Sequence, residues 1–155
     1  MRRFVPIAIL IGLFIAVTGI SAKDAEPKFK TAEVKHLTKG SDVNLSQNYL
    51  DMAYGYVRED LQKSKLFGAV LEDGATVADA NAADSVIIEC KITDYSRGHF
   101  VVSDGHIEIT ITRRSDHSVV QHITDKFGWP PNANDENKGK YTGNIVSALI
   151  KRALK

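Results

Sequence analysis

The chain has 155 residues, with 20 lysines and arginines against 19 aspartates and glutamates and a single cysteine. Loss of residues 1–22 would remove Arg2 and Arg3 and leave 18 basic side chains against 19 acidic ones, a net charge of −1. This balance gives no electrostatic footprint for nucleic acid or for an anionic membrane surface. We therefore expect no nucleic-acid partner, and one domain of ordinary size over residues 23–155.

The amino terminus has the three parts of a secretory signal. Arg2 and Arg3 precede an apolar run, residues 4–20, that contains no charged side chain, and Ser21-Ala22 closes the run before charge returns at Lys23. This pattern predicts a signal peptide over residues 1–22, cleaved after Ala22. The alternative is an uncleaved anchor, which would be the only membrane contact. Both readings place the chain from residue 23 onward in the periplasm or outside the cell.

The first half of the domain predicts a strand, a helix and a second, short strand. The first strand covers residues 28–37, and residues 38–42 form a loop. Asn44 opens the helix, because Gln47 follows three positions later in a capping-box arrangement. The helix ends near residues 64–65 and carries apolar residues at three- and four-residue spacing: Leu50, Ala53, Tyr54, Val57 and Leu61. Residues 66–71 are predicted to form the short strand or an extended edge segment.

The second half predicts three more strands and a closing helix. Residues 85–95 alternate with period two, and the side chain of Cys90 falls on the apolar face, so we expect a buried thiol rather than a reactive one. Residues 106–112 and 119–127 form a hairpin. Residues 128–140 read as a long polar loop, and the helix runs from Thr142 or Asn144 to Leu154.

These elements predict an α+β fold. The expected architecture is a two-layer sandwich in the order βαβββα, with a mostly antiparallel sheet and both helices packed on one face. The other face, which carries Glu89, Lys91, Glu108 and Thr110, would be wet or would receive a partner.

Two stretches of the sequence resemble a family of small exported bacterial proteins of unknown function, of the DUF4410 type. They are residues 61–67, which end in Leu-Phe, and residues 83–98, in which Ala-Asp opens a strand that finishes in Ile-Thr-Asp-Tyr. The resemblance covers about residues 44–155. It implies a fold similar to the amino-terminal domain of TolB and to small envelope lipoproteins, and a structural or assembly role. The acylated cysteine of the lipoprotein members is absent, and the resemblance supplies no catalytic residue.

Candidate chemistry is sparse. His106, Glu108 and His122 would form a zinc site if the strand register brought them together, but exposed strand histidines are the simpler interpretation. The acidic pairs Glu59-Asp60 and Asp135-Glu136 are interpreted as solvated charges, and Ser115-Asp116-His117 as turn formers rather than a catalytic triad. We therefore expect no enzyme activity, no metal and no cofactor.

One cluster predicts an interaction surface: Trp129, which stands before two prolines, together with Tyr95, Arg97, His99 and Phe100. The alternative is that Trp129 caps one end of the core. The sequence thus predicts a non-enzymatic envelope protein that binds another envelope protein or itself, through the open sheet face, a sheet edge or the Trp129 segment. The alternative function is a small-molecule or metal-binding periplasmic protein.

Overall fold

The computed structural model describes residues 27–96, 103–129 and 133–155. The predicted signal segment lies outside these ranges. Within them, no helix is both long enough and apolar enough to cross a bilayer.

The described residues form one six-stranded sheet, two long helices and one single-turn helix. The strands are β1 (Phe29–Val34), β2 (Thr38–Lys39), β3 (Phe67–Leu71), β4 (Ser85–Ser96), β5 (Ser103–Arg113) and β6 (Val119–Trp129). The helices are α1 (Gln47–Lys63), α2 (Asp79–Ala82) and α3 (Asp135–Ala153). The α+β class is confirmed. The order differs in detail from the prediction, since β2 and α2 interrupt two segments that were predicted to be loops.

The sheet is mixed, which corrects the prediction of a mostly antiparallel sheet. Its strand order is β3-β1-β4-β5-β6, and β2 pairs with β4 beyond the end of β1. The β1–β3, β1–β4 and β2–β4 pairs are parallel, and only β4–β5 and β5–β6 are antiparallel. The β1–β3 pair is parallel because α1 carries the chain back across the sheet before β3 begins, and the segment with α2 does the same before β4.

One face of the sheet is buried and the other is largely open. On β4, Val86, Ile88, Cys90 and Ile92 are buried, and Ile107, Ile109 and Ile111 lie beside them on β5. The buried sides of α1 and α3 belong to the same core cluster. The predicted two-layer arrangement, with both long helices on one face, is therefore what the structure has.

The N-cap of helix α1 lies two residues later than predicted. Ser46, not Asn44, is the N-cap, and its hydroxyl accepts a hydrogen bond from the Tyr49 N–H at 3.1 Å. The helix ends at Lys63, one residue before the predicted end near residues 64–65, and the Ser64 N–H caps it by donating to the Leu61 carbonyl.

Helix α3 begins at Asp135, and this corrects both the long loop predicted over residues 128–140 and the predicted start at residue 142 or 144. Asn134 caps it by accepting a hydrogen bond from the Asn137 N–H at 2.8 Å. Gly139 and Gly143 let its first turns lie against α1, since a Cβ on Gly143 would stand 2.5 Å from the Cβ of Tyr56. The first turns of α3 have no apolar stripe that would predict a helix, because they pack on α1 through the backbone at glycines and not through large apolar side chains.

Candidate interaction surface

Trp129 is a core residue at the end of β6. Its side chain is 1% exposed, and its Nε1–H donates to the Thr142 hydroxyl at 2.8 Å. The indole also makes edge-on contacts with three aromatic rings, those of Tyr49, Tyr95 and Phe127, at centroid distances of 5.4, 5.0 and 4.9 Å. The structure thus shows the alternative left open by the sequence, a tryptophan that caps the core, and corrects its placement on the outer surface.

Thr142 ties three elements together beneath this aromatic cluster. Its hydroxyl accepts from Trp129 on β6 and shares a 2.8 Å hydrogen bond with the Tyr49 hydroxyl on α1. Burial raises the pKa of Tyr49 above its ordinary range, so the phenol stays protonated and serves as a hydrogen-bonding group. Two of the predicted surface residues, Trp129 and Tyr95, lie in the described part of the chain, and of these only Tyr95 is partly exposed. Arg97, His99 and Phe100 lie outside the described residues, and the surface itself stays a prediction.

A depression of about 330 Å³ opens beside Tyr95. The N-termini of α1 and α3 meet there, where the Ser46 hydroxyl donates to the Asp135 carboxylate at 2.5 Å. The Nζ of Lys138 lies 5.7 Å from the centre of the Trp129 ring. The remaining walls come from Asp42, Asn44 and Leu45. One aromatic ring and several polar groups could hold a small polar molecule here.

The strand register brings together two of the three predicted metal ligands. Nε2 of His122 lies 3.4 Å from Oε1 of Glu108 on the open face. His106 pairs instead with Asp94 on β4, 3.7 Å away, because the β5–β6 register sets it opposite Lys126. No group of three or more metal-ligating side chains occurs in the described part of the chain.

The other candidate catalytic residues, Asp116 and Asp60, have structural hydrogen-bond partners. Asp116 accepts hydrogen bonds from the N–H and hydroxyl of Ser118, which makes it part of the β5–β6 turn. These bonds lower the pKa of the Asp116 carboxyl. Asp60 is more than the solvated charge expected of it, because it accepts from Ser147 and from Lys151 and so links α1 to α3.

Sequence reasoning missed a buried carboxylate on the open face. Glu33 is 2% exposed although its β1 position faces away from the helices. It accepts hydrogen bonds from Lys35 at 2.7 Å and from the Gly74 N–H at 2.8 Å, and it contacts the guanidinium of Arg114. Its partners come from three segments far apart in the sequence, and only the alternation of Glu33 with Ala32 and Val34 hinted that its side chain points to the other face.

The two edges of the sheet differ. On β3, a strand of five residues, the Val70 N–H is already bonded to the side-chain oxygen of Gln62 at 2.9 Å. The other edge is β6, which has 11 residues and no strand on its outer side among the described residues. An edge of this length is a template for pairing with another chain.

A partly exposed apolar strip borders the β6 edge. Val120 and Ile123 of β6 pack only partly against the core, as does Ile145 of α3. Tyr141, one helical turn before Ile145, is 44% exposed. This side of α3 faces β6, because Arg152 lies 3.5 Å from Asp125.

Comparison with known proteins finds similarity of fold at low sequence identity. No protein-family model matches the chain, and no curated protein does. The protein XCC0632 from Xanthomonas campestris, of the DUF330 family, is similar with a TM-score of 0.57 at 10% identity, over 84% of this chain and 88% of that one. The PelC dodecamer from Paraburkholderia phytofirmans is similar with a TM-score of 0.55 at 10% identity, over 78% and 88%.

The lipoprotein GNA1162 from Neisseria meningitidis is also similar, with a TM-score of 0.50 at 11% identity, over 79% of this chain and 96% of that one. The expected likeness to small envelope lipoproteins is therefore confirmed at the level of fold. The DUF4410 type is not confirmed. TolB from Acinetobacter baumannii has a TM-score of 0.45, over 29% of that chain, which is too low to support an argument.

Proposed function

We propose that this chain is an exported, non-enzymatic protein of the bacterial cell envelope that works by assembling with copies of itself. The single observation that carries the proposal is the open edge of β6, with 11 residues and a partly exposed apolar strip beside it. Strand addition at such an edge gives affinity through main-chain hydrogen bonds and specificity through the flanking side chains.

Two further observations support the proposal. The positive, apolar and small-residue segments of residues 1–22 are typical of an export signal. A protein of the same fold, PelC, forms a dodecamer, and another, GNA1162, is a lipoprotein. Neither likeness transfers a partner to this chain; the PelC dodecamer favours association of subunits, and the lipoprotein GNA1162 favours an envelope location.

The test is to express the full chain in a bacterium with its own amino terminus. Mass spectrometry of the purified product determines whether residues 1–22 are removed, and cell fractionation locates the protein. Native mass spectrometry, together with cross-linking in intact cells, then measures its association. We expect a mature chain that begins at Lys23, found in the periplasm or medium, with discrete self-adducts. A chain that stays monomeric at high cross-linking yield would contradict the proposal.

The second candidate function is the binding of a small polar molecule in the depression beside Tyr95. It is favoured by the meeting of Asp42, Asp135 and Lys138 at one half-exposed aromatic ring. A thermal-shift screen of small polar metabolites tests it, because a ligand that binds only the folded state raises Tm. The Glu108–His122 pair is tested in the same screen with Zn²⁺, with His122→Ala as the control variant.

A further inference from the structure

We propose that β6 pairs antiparallel with β6 of a second copy, so that the two sheets become one. The inference rests on the self-association proposed above and names its geometry. An antiparallel pair of identical strands is related by a two-fold axis. The residue on the axis meets its own copy, and if residue i of one strand meets residue j of the other, residue j also meets residue i. The expected unit is therefore a dimer with a continuous sheet.

We choose β6 because side chains block the β3 edge of the sheet, whereas the β6 edge is longer. The Gln62 amide occupies a backbone donor of β3, and an ion pair at 2.9 Å between Arg58 and Glu72 lies beside that edge. A second strand could pair there only by displacing these side chains. β6 presents more than twice the strand length. Its one irregularity, the register shift against β5 between Ile111 and Thr112, lies at the start of the strand.

The sequence of β6 is complementary to itself about Ile123. With the two-fold axis at Ile123, that residue meets its own copy, His122 meets Thr124, and Gln121 meets Asp125. No like charges then stand opposite each other, and the partly exposed Ile123 side chains form the apolar centre. An axis at His122 or at Asp125 would set that residue against itself, and an axis at Thr124 would oppose His122 to Lys126.

Helix α3 would add to the same contact. Tyr141 and Ile145 lie four residues apart, on the side of α3 from which Arg152 reaches Asp125. In the paired sheet, α3 of each copy flanks the joined strands, so Tyr141 would lose much of its 44% exposure. The strip left partly open in one copy would thus become interior in two.

Disulfide cross-linking between introduced cysteines tests the register. The native thiol, Cys90, does not interfere with this method. Cys90 is buried, and burial raises its pKa to about 12. His122 and Thr124 are exposed, so H122C and T124C leave the core untouched. With the axis at Ile123, the double variant H122C/T124C places a cysteine of each copy opposite one of its partner. We expect mild oxidation to give about ten times more disulfide-linked dimer than either single variant gives.

Two controls complete the design. Glu89→Cys puts an exposed thiol on the open face away from any edge, and Ala69→Cys puts a partly exposed thiol on the β3 edge. Neither variant should form dimers. If native mass spectrometry shows oligomers while the H122C/T124C variant does not cross-link above these controls, the β6 pairing is wrong and self-association stands. A cross-link between A69C and T124C in mixed samples would also overturn it. A monomer in every measurement would overturn both proposals.

Discussion

At the scale of single residues, Glu33 is a buried carboxylate on a strand of the sheet. A carboxylate at 2% exposure is retained only with partners, and Lys35, Arg114 and the Gly74 N–H supply them. Removing its charge in Glu33→Gln leaves the half-buried guanidinium of Arg114 without its counter-ion. We expect the free energy of unfolding, measured by urea denaturation, to fall by about 3 kcal/mol.

The matched control is Asp84→Asn. Asp84 pairs with Lys30 at 3.0 Å, but both side chains are more than half exposed. Such a pair contributes less than about 1 kcal/mol, since water screens it. Equal losses in the two variants would show that burial of Glu33 is not what makes its ion pairs important.

The Asp60 carboxyl makes part of the free energy of unfolding depend on pH in the acid range. Hydrogen bonds from Lys151 and Ser147 hold the pKa of this carboxyl below its ordinary value of 3.8. The carboxylate therefore stabilises the folded state above that value, and this stabilisation is lost as the pH falls through the lower, folded-state pKa. In urea denaturation across the acid range, Asp60→Asn should be less stable than the parent near neutrality, and the gap should narrow as the pH falls.

The control for this variant is Asp42→Asn, in an exposed loop. It should shift the unfolding curve by no more than a few tenths of a kcal/mol at any pH, as exposed substitutions usually do. A gap between the parent and Asp60→Asn that stays constant with pH would show that Asp60 acts through packing and not through its charge.

At the scale of elements, the α1–α3 contact depends on two glycines of α3. A methyl group on Gly143 would stand 2.5 Å from the Tyr56 Cβ and 3.2 Å from the Ala53 carbonyl oxygen. Gly143→Ala must therefore separate the helices, and we expect it to lower the free energy of unfolding by about 1–3 kcal/mol. Urea denaturation followed by circular dichroism measures the loss.

In the neighbouring helix α1, replacing Gly55 by alanine is expected to stabilise the protein. It is exposed on α1, and nothing lies within 4 Å of a Cβ added there. Gly55→Ala should raise the free energy of unfolding by about 0.5–1 kcal/mol through helix propensity alone. If both alanines stabilise the protein, the close approach of the two helices is not required for the fold.

Elements with a repeating apolar pattern could be predicted, and elements held by distant contacts could not. The alternation of Val86, Ile88, Cys90 and Ile92 located β4, and apolar spacing located α1. The first turns of α3 are polar and glycine-containing, so no periodicity marks them, and they depend on α1 for their position. Parallel pairing leaves no local signal either, because it is decided by how the connections between the strands return the chain.

The candidate site shows the same division. The sequence placed Tyr95 together with Trp129, but it did not predict Tyr49 and Phe127, which complete the aromatic cluster. That the indole would be covered, and that β6 would be left as the open edge, depends on strand order and on the length of α3. Neither follows from the residues near Trp129 themselves.

At the scale of the whole molecule, Cys90 reports on global opening. It is the only cysteine of the chain, lies at 2% exposure on a central strand, and has its pKa raised to about 12 by burial. Native protein at about pH 8 should react with a thiol reagent at least a hundredfold more slowly than protein in urea. Rapid labelling of the folded chain would show that β4 opens locally.

The buried tryptophan also gives the protein an intrinsic fluorescence signal for ligand binding. Trp129 is the only tryptophan of the chain, lies within 5.4 Å of the Tyr49 ring and 5.0 Å of the Tyr95 ring, and has the Lys138 ammonium above its face. Its fluorescence therefore comes from one known place, excited in part by energy transfer from those tyrosines. A molecule that entered the depression and moved Lys138 or Tyr95 would change that emission without any label attached.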